Sequence, residues 1–130
     1  MSHGKVVAIA NQKGGVGKST TAINLGAALA FQGEHVLIID LDPQGNTSSG
    51  LGIDRSTITT STYDVLVEGT AIADVLEPTS VLNLYVVPAT IELAGAEIDC
   101  PIRDVEHHRV TVEFLWLYAH ALVGLGEPDL

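Results

Sequence analysis

Apolar positions along the first ninety residues fall in compact blocks, each closed by a glycine, a proline or a polar turn. Residues 6–10 (Val-Val-Ala-Ile-Ala) and 36–39 (Val-Leu-Ile-Ile) are apolar at consecutive positions, which predicts central parallel strands covered on both faces. Residues 82–87, stopped by Pro88, predict a third strand. Between the first two blocks, apolar residues recur at Ala22, Ile23, Leu25, Ala28 and Leu29. That stripe predicts a helix over residues 18–32, ended by Gly33. Residues 62–68 and 70–76 predict two short capped helical pieces, ending at Gly69 and before Pro78, and residues 90–98 start another helix. The polar, glycine-rich stretch 44–62 predicts a long mobile surface connection. Residues 110–118 are β-branched and aromatic, and suit either a strand or part of one amphipathic helix over 104–123. Periodicity does not choose between the two, and the strand is the preferred reading.

The chemistry sits where the first strand turns into the first helix. Gly14, Gly15 and Gly17 lack Cβ, so the backbone can turn tightly and aim successive N–H groups at an anion. The helix start adds its positive dipole end. Lys18 supplies a mobile cation for β/γ-phosphates, and the Ser19 hydroxyl is placed to ligate Mg²⁺. The strict pattern G-x-x-x-x-G-K-[ST] is not met, since its first glycine falls on Gln12, and G-x-G-x-x-G fails at Thr20. The plain alternative is a solvated Gly/Lys turn; strand, glycines, Lys-Ser and helix in register favour phosphate binding.

A second candidate group follows the 36–39 block, where Asp40 and Asp42 stand at the strand's C-terminal end and Pro43 closes it. Alone, this pair reads equally well as a solvated turn. Beside a phosphate loop, a carboxylate can bind a hydrated Mg²⁺ or orient an attacking water.

The segment 11–26, Asn-Gln-Lys-Gly-Gly-Val-Gly-Lys-Ser-Thr-Thr-Ala-Ile-Asn-Leu-Gly, followed by 36–46, Val-Leu-Ile-Ile-Asp-Leu-Asp-Pro-Gln-Gly-Asn, resembles the ParA/MinD family of deviant Walker A partition ATPases, nearest its Soj-like chromosome-partition branch. Two separate motifs agree in type and spacing, and the resemblance runs from about residue 5 to about residue 97. It implies an α/β fold with a P-loop NTPase-like parallel sheet and flanking helices in three α/β/α layers, incomplete relative to the family. It implies ATP and Mg²⁺ as cofactors, with Lys13, Gly14, Gly15, Val16, Gly17, Lys18, Ser19 and Thr20 around the nucleotide. Asp40 then takes the metal side with Ser19, Asp42 positions the hydrolytic water, and Lys13 reaches across a two-fold homodimer to the partner's phosphates. That last role is a cation delivered in trans to the transferring phosphoryl group. A ParB-type partner protein, non-specific DNA and a cytoplasmic, nucleoid-associated location are implied in the same way.

Composition narrows this picture. At 130 residues and 46% hydrophobic, the chain suits one globular domain near the lower size limit of a doubly wound fold. The lone Cys100 excludes an internal disulfide and fits a reducing compartment, and the start of the chain carries no signal-peptide pattern. The apolar stretch 114–125 is shorter than the ~20 residues of a membrane span. A net charge of −10 with only 6 Lys and Arg argues against a phosphate-backbone face for DNA, and no basic membrane-targeting helix follows Arg109. Cys100, His107, His108 and His120 match no tight zinc spacing.

From Asp99 onward the chain departs from the family pattern, so residues 1–98 are read as the nucleotide-binding unit and 99–130 as a divergent tail. The family continues to an apolar strand ending in Asp-x-Pro-Pro, whose aspartate supports Mg²⁺ and which lies between the phosphate-loop strand and the Asp40 strand. Residues 98–101 (Ile-Asp-Cys-Pro) lack the preceding strand and the second proline, and read as accidental. Residues 110–118 are expected to fill the gap as a parallel strand, since backbone groups left open on both sides would be costly. The abrupt change after Glu97 is what a shifted reading frame would produce. Two functions follow: a Mg²⁺-dependent ATPase switch of chromosome or plasmid partition, or a nucleotide-binding remnant without hydrolysis or DNA binding.

Overall fold

A computed structural model describes residues 5–11, 17–94 and 111–118. In chain order the elements are β1 (Lys5–Asn11), α1 (Lys18–Phe31), β2 (His35–Ile39), α2 (Asn46–Gly50), a 3₁₀ turn (Arg55–Thr57), α3 (Thr62–Val67), α4 (Ile72–Val75), β3 (Glu77–Pro78), β4 (Leu84–Val87) and β5 (Thr111–Tyr118).

The strands form one sheet in the order β1-β5-β2-β4-β3. β2 and β4 are parallel, with Val36 opposite Leu84 and Ile39 opposite Val87. β5 occupies the place between β1 and β2 but runs antiparallel to both, pairing Asn11 with Thr111 and Ile39 with Phe114. The sheet is therefore mixed, and the expectation of a parallel strand over 110–118 is corrected. The physical reason lies in the connection. β4 ends and β5 begins at the same edge of the sheet, whereas a parallel strand would have to be entered from the opposite edge through a crossover.

β1 also differs from expectation. It stands at the end of the strand order, with no described strand on its outer side, and Val6 and Val7 are 64% and 37% exposed. Consecutive apolar residues specify a strand meant to be covered, but only neighbouring strands and helices decide whether it is.

Alternation along the two inner strands builds a core on each face. Val36 and Ile38 of β2 join Leu84 and Val86 of β4 against Ala30, Ile23 and Ala27 of α1 and Leu51 after α2. Leu37 and Val87 face the other way, toward Val75, Ile72 and Val65 of α4 and α3. Side chains of a strand point alternately to its two sides, so two apolar runs serve two helical layers. The result is three-layered, α/β/α. α1 stops where Gly33 takes φ +92° and its N–H donates to the Ala30 carbonyl at 3.0 Å, with Glu34 N–H reaching the Leu29 carbonyl at 3.1 Å. A side chain at that φ would be strained, which is why glycine ends the helix there.

The stretch 44–62 is more structured than its polar composition predicts. Gly45, Thr47, Ser48, Leu51, Ser61 and Thr62 are buried, and α2 and the 3₁₀ turn lie within it. Gly50 of α2 sits so near α1 that a Cβ there would lie 2.5 Å from Ile23 Cδ1. Small polar residues with local hydrogen-bonding side chains build compact turns as readily as loose ones, and packing decides which. The helix expected from residue 90 begins as a turn, with Leu93 and Ala94 N–H donating to the Thr90 and Ile91 carbonyls; its continuation lies outside the described residues.

Candidate functional site

β1, β2 and β4 share one direction, so their C-terminal ends open on one edge of the sheet. Ligand sites of open α/β sheets form at that edge. α1 begins there at Gly17, whose φ of +83° and ψ of +20° lie in the left-handed region that glycine adopts without strain. Its carbonyl accepts the Thr21 N–H at 2.8 Å, the first closed turn of the helix. Among the described residues, no side chain caps this N-terminus, and its first turn holds no acidic residue. An anion would therefore meet the positive end of a 14-residue helix whose own first turn carries no carboxylate. Lys18 and Ser19 are half-buried and Thr20 is exposed. Lys13, Gly14, Gly15 and Val16 lie outside the described residues.

The second part of the site is built on Asp40, which is fully buried directly after β2. Its N–H continues the ladder to the Val87 carbonyl at 3.1 Å. One carboxylate oxygen, Oδ1, accepts the Asp42 N–H at 3.0 Å. The other, Oδ2, accepts the Ser48 N–H at 3.0 Å and the Ser48 hydroxyl at 2.6 Å. The Ser48 Oγ in turn accepts the Ala89 N–H at 3.1 Å, so one buried hydroxyl joins α2, the end of β2 and the end of β4.

Asp42 is half-buried in the turn above this carboxylate. Its carbonyl accepts the Gly45 N–H at 2.8 Å and its Oδ1 accepts the Gln44 N–H at 3.0 Å. With Asp first, Pro43 second and Gly45 fourth, residues 42–45 carry the signature of a tight turn. α3 closes the site from the far side, where Ser61 and Asp64 form a reciprocal capping box at its start. Thr62 Oγ donates to the Asp40 carbonyl at 2.7 Å.

The start of α1 and the two aspartates thus stand at one sheet edge, but the two carboxylates differ in kind. A carboxylate has about four acceptor positions, and protein donors fill at least three on Asp40. Oxygen donors such as the Ser19 hydroxyl and Asp42 carboxylate suit Mg²⁺, a hard cation. Asp40, with at least three positions taken, has at most about one left for that ion or for a water bound to it. Sequence reasoning missed Ser48 and Thr62. The Asp-Pro-Gln-Gly turn was a legible signal that the chain folds back there, though not of what it folds onto. Cys100, His107, His108 and His120 lie outside the described residues.

The comparisons with known proteins agree with this fold. A family model described as an AAA domain matches residues 4–113, well past the point near residue 97 where the motif resemblance stops. The sporulation initiation inhibitor protein Soj of Bacillus subtilis is 56% identical over 96 residues, covering 74% of this chain and 38% of that protein. The chromosome partitioning protein ParA of Caulobacter vibrioides is 57% identical over 95 residues, covering 73% and 36%. Among solved structures, cobyrinic acid a,c-diamide synthase from Mycobacterium smegmatis with bound ADP and magnesium is 44% identical, with a TM-score of 0.65, covering 68% of this chain and 36% of that one. The chain thus spans under two fifths of the length of these relatives. With a family model over most of its residues and relatives above half identity, this chain belongs to the AAA domain family, in the Soj-like branch of the ParA/MinD partition ATPases.

Proposed function

We propose that this chain carries the nucleotide site of a ParA-type ATPase switch of chromosome or plasmid partition. The observation that carries the reading is the start of α1 at the left-handed Gly17, on the same sheet edge as Asp42. Lys18, Ser19, Thr20 and the amides of Gly14, Gly15, Val16 and Gly17 hold the polyphosphate. Ser19 and Asp40 stand on the metal side. Mg²⁺, when bound, neutralises charge on the β- and γ-oxygens. Asp42 orients the attacking water, and Lys13 of a second copy meets the phosphates in a homodimer. A ParB-type partner protein and a cytoplasmic, nucleoid-associated setting complete the reading, with non-specific DNA a partner of the family for which this acidic chain carries no basic region. No helix among the described residues is long and apolar enough to cross a membrane.

One observation favours a second reading, a nucleotide-binding remnant. β5 stands where the family resemblance expects the Asp-x-Pro-Pro strand, yet its C-terminal end at Tyr118 pairs with His35, at the edge away from the site. The strand in that place therefore ends its apolar run away from the phosphates, unlike the strand that the resemblance implies. ATP turnover with Mg²⁺, compared between this chain and its Lys18→Ala form, separates the two. A rate that falls about 10- to 100-fold in the variant supports the ATPase, in line with loss of a charged hydrogen bond. Equal background rates with retained ATP binding support the remnant, and absence of any ATP or ADP affinity overturns both.

A further inference from the structure

Ser48 stands outside both phosphate motifs, yet it is fully buried and has hydrogen-bonding partners in two other segments. Its hydroxyl donates to Asp40 Oδ2 at 2.6 Å, its N–H donates to the same oxygen at 3.0 Å, and its Oγ accepts the Ala89 N–H at 3.1 Å. Asp40 passes the constraint on, because its Oδ1 holds the Asp42 N–H at 3.0 Å. A hydroxyl that both donates and accepts fixes its own orientation, and a carboxylate gripped on one oxygen cannot swing to release the other. α2 is itself seated on the phosphate-loop helix through Gly50 and Ile23. The chain of contacts therefore runs from α1 through α2 to the backbone of Asp42.

We infer that Ser48 is a positioning residue: through the Asp40 carboxylate it sets the backbone of Asp42 relative to the phosphate-loop helix. This deepens the ATPase reading, on which only the hydrolytic half of the test rests. Positioning groups act on rate more than on binding, because a small misplacement of the group that orients water costs turnover while the phosphate grip stays intact.

The test uses the full chain and the variants Ser48→Ala, Ser48→Thr and Asp40→Asn. Without nucleotide, amide exchange at Asp42, followed by NMR, is expected to speed up about tenfold in Ser48→Ala and Asp40→Asn. The amides of β2 are expected to keep their rates, and Ser48→Thr, which retains the hydroxyl, is expected to stay near the parent. With ATP and Mg²⁺, kcat is expected to fall about tenfold in Ser48→Ala with KM within about twofold, and Ser48→Thr to restore it. Unchanged Asp42 exchange in Ser48→Ala, or equal loosening of β2, overturns the inference. So does an unchanged kcat in a parent that hydrolyses ATP. A parent without turnover sinks the ATPase reading alone, and the exchange measurement then decides the inference. If Ser48→Ala does not fold, Asp40→Asn breaks the same link from its other end, and the same two exchange outcomes apply.

Discussion

The Thr62 hydroxyl donates to the backbone carbonyl of Asp40 at 2.7 Å, across 22 positions of sequence, with both residues buried. The Thr62 N–H also donates to the Pro88 carbonyl at 2.8 Å, so the first residue of α3 is stapled to the ends of β2 and β4 together. Replacing Thr62 by Val keeps the volume and removes the donor. The Asp40 carbonyl then loses that partner inside the protein, and the expected cost is about 1–3 kcal/mol in urea unfolding. A loss below about 0.5 kcal/mol would show that the staple contributes only shape.

Gly45 adopts φ +65° immediately before α2, and a Cβ there would stand 3.1 Å from the Ala89 carbonyl oxygen. Gly52 has φ +83° but nothing within 4 Å of the same position. Both Gly→Ala changes force a left-handed alanine, at about 1–2 kcal/mol each. Gly45→Ala also presses on a backbone oxygen that cannot swing aside, so its melting temperature is expected to drop further than that of Gly52→Ala. Equal drops would mean that the 40–50 segment yields freely.

The place of β5 makes its own prediction. Each of Val36, Leu37, Ile38 and Ile39 faces a β5 residue on one side and a β4 residue on the other, and β5 has β1 on its outer side. Central strands open only with the sheet, so amides of Thr111–Tyr118 are expected to exchange as slowly as those of β2. Exchange at loop rates would remove β5 from the gap.

Asp54 caps the 3₁₀ turn, and its carboxylate accepts both the hydroxyl and the N–H of Ser56, at 2.7 and 2.9 Å. These bonds hold its pKa below the usual carboxylate value, the side-chain bond being the larger cause. A depressed folded pKa contributes stability that is present above the unfolded pKa and lost as the pH falls through the folded one. The turn is thus expected to loosen only in acid, below about pH 4. In an NMR titration, Ser56→Ala is expected to move the Asp54 midpoint upward. An unmoved midpoint would reject the cause.

The local order of the chain determined much of this protein. Runs such as 36–39, Gly17 before Lys18 and the Asp42-Pro43 turn act over a few residues, and backbone sterics and hydrogen-bonding chemistry fix their conformations wherever they stand. Hence β2, α1, α3 and β4, the glycine start of α1 and the pair Asp40 and Asp42 at a strand end were legible without coordinates. What joins distant segments was not. That Ser48 grips Asp40, that β1 lies at an edge, and that residues 111–118 enter the sheet antiparallel are outcomes of competition among long-range pairings. The strand pairings are satisfied by backbone groups that every residue carries, so the side-chain pattern is nearly silent about partner and direction, and a serine hydroxyl such as that of Ser48 suits many acceptors besides Asp40. Only closing the sheet around its two helical layers decides them.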